Sequence, residues 1–597
     1  MKKTFLTLAL ILLASSLHAS VEVDTLYAQD FNIVPNTYRN LTPQFRTLLE
    51  ACRNNKETVV ILEKGRYDIW PEGAVRKEIY ISNTSSETEC PSKEKTIGLH
   101  FDRIENLTFS GNGAEIIMHG SITPIAIDSC KNVTLQNISV DFERPGGSEL
   151  TYIEVLPGEV TVKVHPDTRY EIRDSLLNLI GEGWRSNQIH CIKYTPVDNH
   201  MRYSSDYGVL SKSHVVEVAP HVLKFYTPQN FMPEVGATLT LRDIIRNQVG
   251  LLNLCSEGTT LRNVNMRYMH GLGIVSQYSR NITMDHVNCL PSQNSGRILA
   301  SSADFMHFSG CSGNISITDC NFSGAQDDAI NVHGTNLRIV EKTSTDKVVV
   351  RFMHPQTYGF MAYQPGDTVA FVNPSTMLRT AYAVVKEVTM VEPRTISLSF
   401  DTPIPSDIEI NATCVENISA TPTVHISGCN ITRLSTRGIL MTTPRKAIIE
   451  NCRFEGLGMA AILVEGDAAG WFESGPVTDL TIKNNTFIDC NYAGPQNGAT
   501  IVFNPSNTVI SPKNAVHENI NIIGNTFLTE GRPVLYAKST SGILFFGNSV
   551  PDNNDPTFVF LGCSDVEITG NMMKRPRVNQ KDSRNIRVND TDPDLLP

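Results

Sequence analysis

Three aspartates carry the chemistry that this chain suggests first. Asp304 stands in SADF, and about one repeat of roughly 23 residues later Asp327 and Asp328 stand side by side in GAQDDAINVHGT. Carboxylates held close together cannot all ionise easily, so one keeps a proton while another remains a base. A neutral acid beside an ionised carboxylate is what hydrolysis of a sugar bond requires. Taken alone, an Asp-Asp pair is ordinary turn chemistry, since such side chains bond nearby backbone. The lone Asp304 one repeat earlier, together with a large insertion directly after INVHGT, shifts the reading toward catalysis.

Other side chains near this group have two readings each. Trp471, one of three tryptophans, sits in the loop VEGDAAGWFESGP and could stack on a sugar face or anchor the loop. Glu465 and Asp467 of that loop could bond sugar hydroxyls or simply be solvated. Arg437 in STRGILMTT suits a hydroxyl ligand or a structural ion pair. His307 and His333 flank the aspartates; with no third ligand at suitable spacing they do not make a zinc site, and hydrogen bonding within the site or the core is the better account. Asn331 is a turn residue or a substrate ligand.

To bring these residues together the chain must stack repeats. Short strands with two-residue alternation recur, separated by Asn, Gly and Cys turns: NLTFSGNGAEI from Asn106, NVTLQNISVDF from Asn132, NITMDHVNCL from Asn281, NISITDCNFSG from Asn314, and NINIIGNTFLTE from Asn519. A period in the twenties with β signals and no helical periodicity means an all-β solenoid. One coil cannot bury its own apolar side; stacking buries it and pairs each backbone with the coils on both sides. Many turn asparagines fall in N-x-[ST], as at Asn132, Asn281 and Asn314, but their regularity fits turn residues that tolerate the left-handed region. Residues 148–248 and 337–420 break the repeat with alternating strands, each reading as a small inserted β-barrel. The expected order is therefore a leader over 1–19, coils over 20–147, the first barrel, coils carrying the aspartates over 249–336, the second barrel, coils over 421–575, and a flexible tail over 576–597.

Composition sets the surroundings. The chain has 597 residues and a formal net charge of −11. No Lys/Arg block stands out, which excludes a nucleic-acid partner in the usual sense. Lys2 and Lys3 followed by the apolar run Phe5–Leu13 read as an export signal cleaved after Ala19. That run is too short for a membrane span, so an exported protein, periplasmic or secreted in a bacterium, is expected. The 13 cysteines include Cys130, Cys255, Cys311 and Cys563 before strands and Cys320, Cys429 and Cys452 after them. That placement suits free thiols stacked in a solenoid interior rather than a disulfide framework.

With SADF, GAQDDAINVHGT one coil later and two barrel-like insertions, the chain resembles glycoside hydrolase family 110 over nearly its whole mature length. It is similar, more distantly, to pectin-degrading polygalacturonases. The resemblance implies a right-handed parallel β-helix of the pectin-lyase type and hydrolysis of terminal non-reducing α-1,3-linked galactose, as in the blood group B antigen; it leaves open whether linear α-1,3-galactosides are cleaved too, and we expect both. It implies inversion at the anomeric carbon and no metal or organic cofactor. Carried onto this sequence, the three aspartates are Asp304, Asp327 and Asp328; our own assignment is Asp327 as general acid, with Asp304 and Asp328 holding the attacking water. Two other functions remain open at this level: a pectinase-like polysaccharide hydrolase or lyase, and a non-enzymatic glycan-binding solenoid. The sequence leaves the oligomeric state open.

Overall fold

The structure is a computed structural model describing residues 23–53, 57–186, 188–406, 408–495 and 497–589. The leader expected over residues 1–19 lies outside the described residues. The body is a parallel β-helix. One ladder runs upward through Lys131–Phe142, Glu257–Met266, Arg280–Asp285, Ser312–Thr318, Pro422–Ser427 and Ala447–Glu450, every step parallel. A second ladder carries the functional residues: Leu272–Gln277, Met306–Ser309, Ile330–Lys342, Ile439–Met441 and Ile462–Val464. Alternation puts Ile274, Met306, Phe308, Ile330, Val332, Ile439 and Met441 into one continuous apolar core, because successive strand residues face opposite sides. The helix Thr42–Ala51 closes the N-terminal end, burying Phe45, Leu48 and Leu49 in that core.

The turns follow the expected chemistry in part. Asn132 and Asn281 adopt φ of 53° and 56°, whereas beside Asn314 it is Gly313, at φ 68°, that takes the left-handed position. All 13 cysteines are free. Most are buried, and several donate weak hydrogen bonds to backbone carbonyls one coil away, as Cys130 does to Phe101 and Cys563 to Ala537. Cys255 departs from the interior expectation. It occupies a left-handed turn position at φ 47° and is exposed.

The two insertions differ. In the second, the strand Ile330–Lys342 begins in the helix and continues outward. There it pairs with Lys347–Arg351 and Cys414–Asn417, and further antiparallel pairs through Thr395–Phe400, Leu378–Glu392 and Thr368–Asn373 close a six-stranded ring. In the first, seven strands from Gly147–Leu156 to Thr238–Arg242 form one antiparallel sheet. Its pairings run as an open series among the described residues, with a three-stranded sheet beside it. The expected barrel is thus a closed ring only in the second insertion; in the first, the extra sheet shares in covering the apolar side.

The tail expectation over 576–597 fails for its described part. Arg577–Lys581 and Arg584–Val588 pair in parallel with Thr557–Leu561 and Ser564–Thr569, adding a coil. Its side chains are polar and mostly exposed, which is why composition resembled a tail; the backbone ladder holds it. No helix among the described residues is long and apolar enough to cross a membrane.

Candidate active site

Backbone register decides which aspartates stack. Ser301 bridges to Ala325 and Met306 pairs with Ile330, so the position equivalent to Asp304 is Asp328, one residue beyond the spacing-based expectation. The Phe305 N–H donates to the Asp328 carbonyl at 2.9 Å. One coil further, Ile330 pairs with Ile439, which stacks Arg437 on Asp328. Asp304, Asp328 and Arg437 therefore form one column. Asp327 precedes the column by one residue and faces the pocket more openly: its side chain is 27 % exposed, against 8 % for Asp304 and 1 % for Asp328. One oxygen from each of the three carboxylates lies within 4.8 Å of the others.

The turn before the pair depends on Gly324. Its φ is +85°, and a Cβ there would lie 2.0 Å from the Ile298 carbonyl oxygen, so only glycine lets the chain bend this closely. The first insertion buttresses the same turn, since its Thr240 carbonyl accepts a hydrogen bond from Gln326 Nε2 at 3.0 Å. Arg242 of that insertion donates to the Ser302 carbonyl beside Asp304.

The electrostatics are those of crowded, dry carboxylates. Burial, reinforced by Asp327, pushes the Asp304 acid up to about 8, with Arg246 and Arg437 opposing. Burial also pushes Asp328 up to about 7 against the pull of Arg437. Arg437 Nε donates to Asp328 Oδ1 at 2.8 Å, its backbone N–H donates to the same oxygen at 3.2 Å, and Nη2 lies 3.7 Å from Asp327. Of the two readings of Arg437, the structure thus gives the ion pair, at the pocket wall.

The remaining candidates separate. Trp471 lines the pocket, stacks on His354 of the second insertion at 4.0 Å, and remains 44 % exposed. It has both an anchor and a free surface. Glu465 lines the pocket, and burial raises its acid to about 7. Asn331 lines the pocket with its Oδ1 unpartnered. Asp467 is a correction: its oxygens accept from the backbone N–H groups of Ala469, Gly470 and Phe472. A carboxylate so engaged fixes the loop, at the pocket wall, rather than being simply solvated. His307 and His333 do not line the pocket and are not placed to bind sugar; almost wholly buried behind Asp304, they hydrogen-bond to it and to each other, the account the sequence favoured.

Three pocket residues carry no local signal in the sequence. Arg246 ends the first insertion. Glu473 arrives because Glu473–Ser474 pairs antiparallel with Gly334–Thr335. Asn83, from the first coils, donates to Glu473 at 2.8 Å. Burial works against the Glu473 carboxylate, yet His333, His307 and this amide bring its pKa below the ordinary value.

Among the described residues, ligand-type side chains gather in threes at the aspartate cluster and at His100, Asp102 and Asp128. Cationic side chains contact both groups: Arg437 the first, Lys77 and Arg53 the second.

Comparison with known proteins agrees with this architecture. Residues 148–239 match the family described as GLAA-B beta-barrel domain I, 347–411 match GLAA-B beta-barrel domain II, and 411–571 match a right-handed beta helix region. The chain is 51 % identical over 574 residues to alpha-1,3-galactosidase A of Bacteroides fragilis, covering 95 % of each. It is 34 % identical to alpha-1,3-galactosidase B of Bacteroides thetaiotaomicron, covering 92 % of this chain and 89 % of that one. It is 33 % identical to alpha-1,3-galactosidase A of Streptomyces avermitilis, covering 91 % of each. With its β-helix, its two inserted β domains and identity at this level over almost its whole length, this chain belongs to the α-1,3-galactosidase family of glycoside hydrolases.

Proposed function

We propose that the chain is an exo-acting, inverting α-1,3-galactosidase. Its substrates would be terminal non-reducing α-1,3-linked galactose in glycans such as the blood group B antigen and in linear α-1,3-galactosides. The observation that carries the reading is the convergence of one open and two buried carboxylates, with Arg437 on Asp328 and beside Asp327, at the wall of one pocket. Asp327, the most accessible, protonates the glycosidic oxygen as the C–O bond breaks. A water held between Asp304 and Asp328 adds to the anomeric carbon from the opposite face and gives up its proton to the buried pair.

The carboxylate oxygens lie closer together than the about 6.5–9.5 Å between carboxyl groups typical of inverting enzymes. A water bonded at about 2.8 Å to each of two oxygens still spans a gap of 4.8 Å, which supports a water between the buried pair. The exo mode is supported by the pocket walls, which come from the first coils (Asn83), the first insertion (Arg246) and the loop of Trp471 and Glu473. The pocket presents six carboxylates, Asp304, Asp327, Asp328, Glu465, Asp467 and Glu473, against only Arg246 and Arg437. That balance favours a neutral sugar over the uronate of a pectinase. We read the protein as exported, on the strength of its leader.

The test is incubation with an α-1,3-galactosyl disaccharide, the B trisaccharide and polygalacturonate, followed by NMR of the first-formed sugar. Galactose appearing first as the β anomer supports the proposal. Galactose appearing first as the α anomer means retention and a covalent intermediate. Release from polygalacturonate alone means the pectinase reading, and no release from any substrate leaves a binding solenoid.

A further inference from the structure

Behind Asp304 runs a chain of three hydrogen bonds. Asp304 Oδ2 lies 2.8 Å from His307 Nδ1, His307 Nε2 lies 2.8 Å from His333 Nε2, and His333 Nδ1 lies 2.7 Å from the Gly334 carbonyl oxygen. Three hydrogen bonds need three protons. The far end fixes the direction, because a backbone carbonyl only accepts. His333 therefore carries its proton on Nδ1, and a neutral His333 has a bare Nε2. His307 must then donate from Nε2, and a neutral His307 has a bare Nδ1 facing Asp304. Two neutral imidazoles supply two of the three protons. The third lies in the Asp304–His307 contact. Remove it, and two lone pairs face each other somewhere along the chain in every choice of tautomers.

From this proton count we infer that His307 and His333 are positioning residues that keep Asp304 in its neutral acid form, so that Asp328 alone is the base that takes the proton from the attacking water. The inference rests on the hydrolase reading above and divides the labour of its buried pair. The alternative home for the third proton is His307, as an imidazolium against an ionised Asp304. The surroundings decide against it. Burial takes the His307 imidazole down to about 4, with Arg246 adding to that effect and Glu473 and Asp327 opposing. Burial and His307 lower His333, although Glu473 and Asp304 oppose. Around Asp304 itself, burial is the largest effect and favours the acid, with Glu473 adding to it and Arg246 and Arg437 opposing. Glu473, the carboxylate beside the rings other than Asp304, lies 3.7 Å from His333 Nε2, outside hydrogen-bond reach, and its Oε1 accepts from Asn83.

Asp328 is arranged in the opposite way. Its Oδ1 receives both hydrogen bonds from Arg437, while its Oδ2 is buried and unpartnered. An ionised oxygen with no donor is the acceptor for a water proton. In the hydrolytic step the water O–H bond breaks toward Asp328 Oδ2 as the new C–O bond forms, and the Asp327 proton leaves with the departing oxygen. Asp304 meets the water through its other oxygen, as a neutral hydrogen-bonding partner, and contributes no second negative charge.

The direct test is NMR of the full chain labelled with 15N-histidine, the two rings assigned from the spectra of H307Q and H333Q. The expected result between pH 6 and 7.5 is a neutral Nε2–H tautomer at His307 and a neutral Nδ1–H tautomer at His333. An imidazolium signal, or an Nδ1–H tautomer, at His307 in that range would overturn the inference. A second arm follows kcat/KM against pH in H333A. Without the bare Nε2 opposite it, His307 can switch tautomer and donate to an ionised Asp304. The alkaline limb should then move down by at least one pH unit, a tenfold or greater loss at pH 8 relative to pH 6. An unmoved limb in folded H333A would also overturn the inference. The NMR arm needs no turnover, so an inactive wild type would refute the hydrolase reading while leaving the proton arrangement to be read.

Discussion

Arg437→Met is the substitution from which the structure yields a magnitude. Arg437 Nε contacts Asp328 Oδ1 at 2.8 Å, which puts the centres of the two charges about 4 Å apart. At an effective dielectric of about 20 this pair interacts by about 4 kcal/mol, or about three pH units at 1.36 kcal/mol per unit. Asp328 already stands at about 7 with Arg437 in place; without it the acid moves up by about that interval. At pH 7 the ionised, base-competent fraction falls from about one half to about 10⁻³, so kcat/KM should drop about 10²–10³-fold. The acid limb of the pH profile would then pass the alkaline limb set by Asp304, and no pH would recover the wild-type rate. Arg437→Lys keeps a charge without the Nε contact and should fall between the two. The assay is kcat/KM on an α-1,3-galactosyl disaccharide from pH 5 to 10, with circular dichroism confirming the fold. If Arg437→Met holds within tenfold of wild type at pH 7 with its acid limb unmoved, Asp328 is not the base and the ion pair is only structural.

Other outcomes follow from the same geometry. Asp327→Asn should lose about 10²–10⁴ in rate on the disaccharide and recover in part on an aryl galactoside with a good leaving group; equal loss on both would remove Asp327 from the acid role. Asp304, Asp328 and Glu465 are all raised above their unfolded values, to about 8, 7 and 7. Folding therefore takes up protons, and their stabilising contribution is full below about pH 4 and lost as pH rises through 7 to 8. The Tm should fall from pH 6 to pH 9, and Asp304→Asn should flatten that slope; a flat wild-type profile would contradict the shifts. Thiol titration of the denatured, non-reduced chain should recover most of the 13 cysteines, whereas recovery of only one or two would mean disulfides. Trp471→Ala should raise KM several-fold with little change in kcat if its free face stacks on sugar, and steady-state kinetics would show an unchanged KM if Trp471 only anchors its loop on His354.

The repeat period, the alternation of Val, Ile and Phe, and the spacing of SADF to GAQDD are local properties, and they sufficed for a β-solenoid with clustered aspartates. Each coil buries the same face, so a sequence period becomes a spatial column. The column's membership was not legible. Ser301 pairs with Ala325, so Asp304 stacks on Asp328 rather than Asp327, and a one-residue difference in register changes which carboxylate is buried. Arg437 reaches Asp328 across 109 positions, because the whole second insertion loops out between two stacked coils. Asn83 and Glu473 meet across 390 positions, with no spacing signal to join them. The roles of His307 and His333 depended on which nitrogen faces which partner, and a sequence carries no such information. Strand pattern is written residue by residue and survives in the sequence. Register, long-range stacking and proton direction arise only when separate coils come into contact, so the tertiary structure alone decided which of these residues can do chemistry and which hold the others in place.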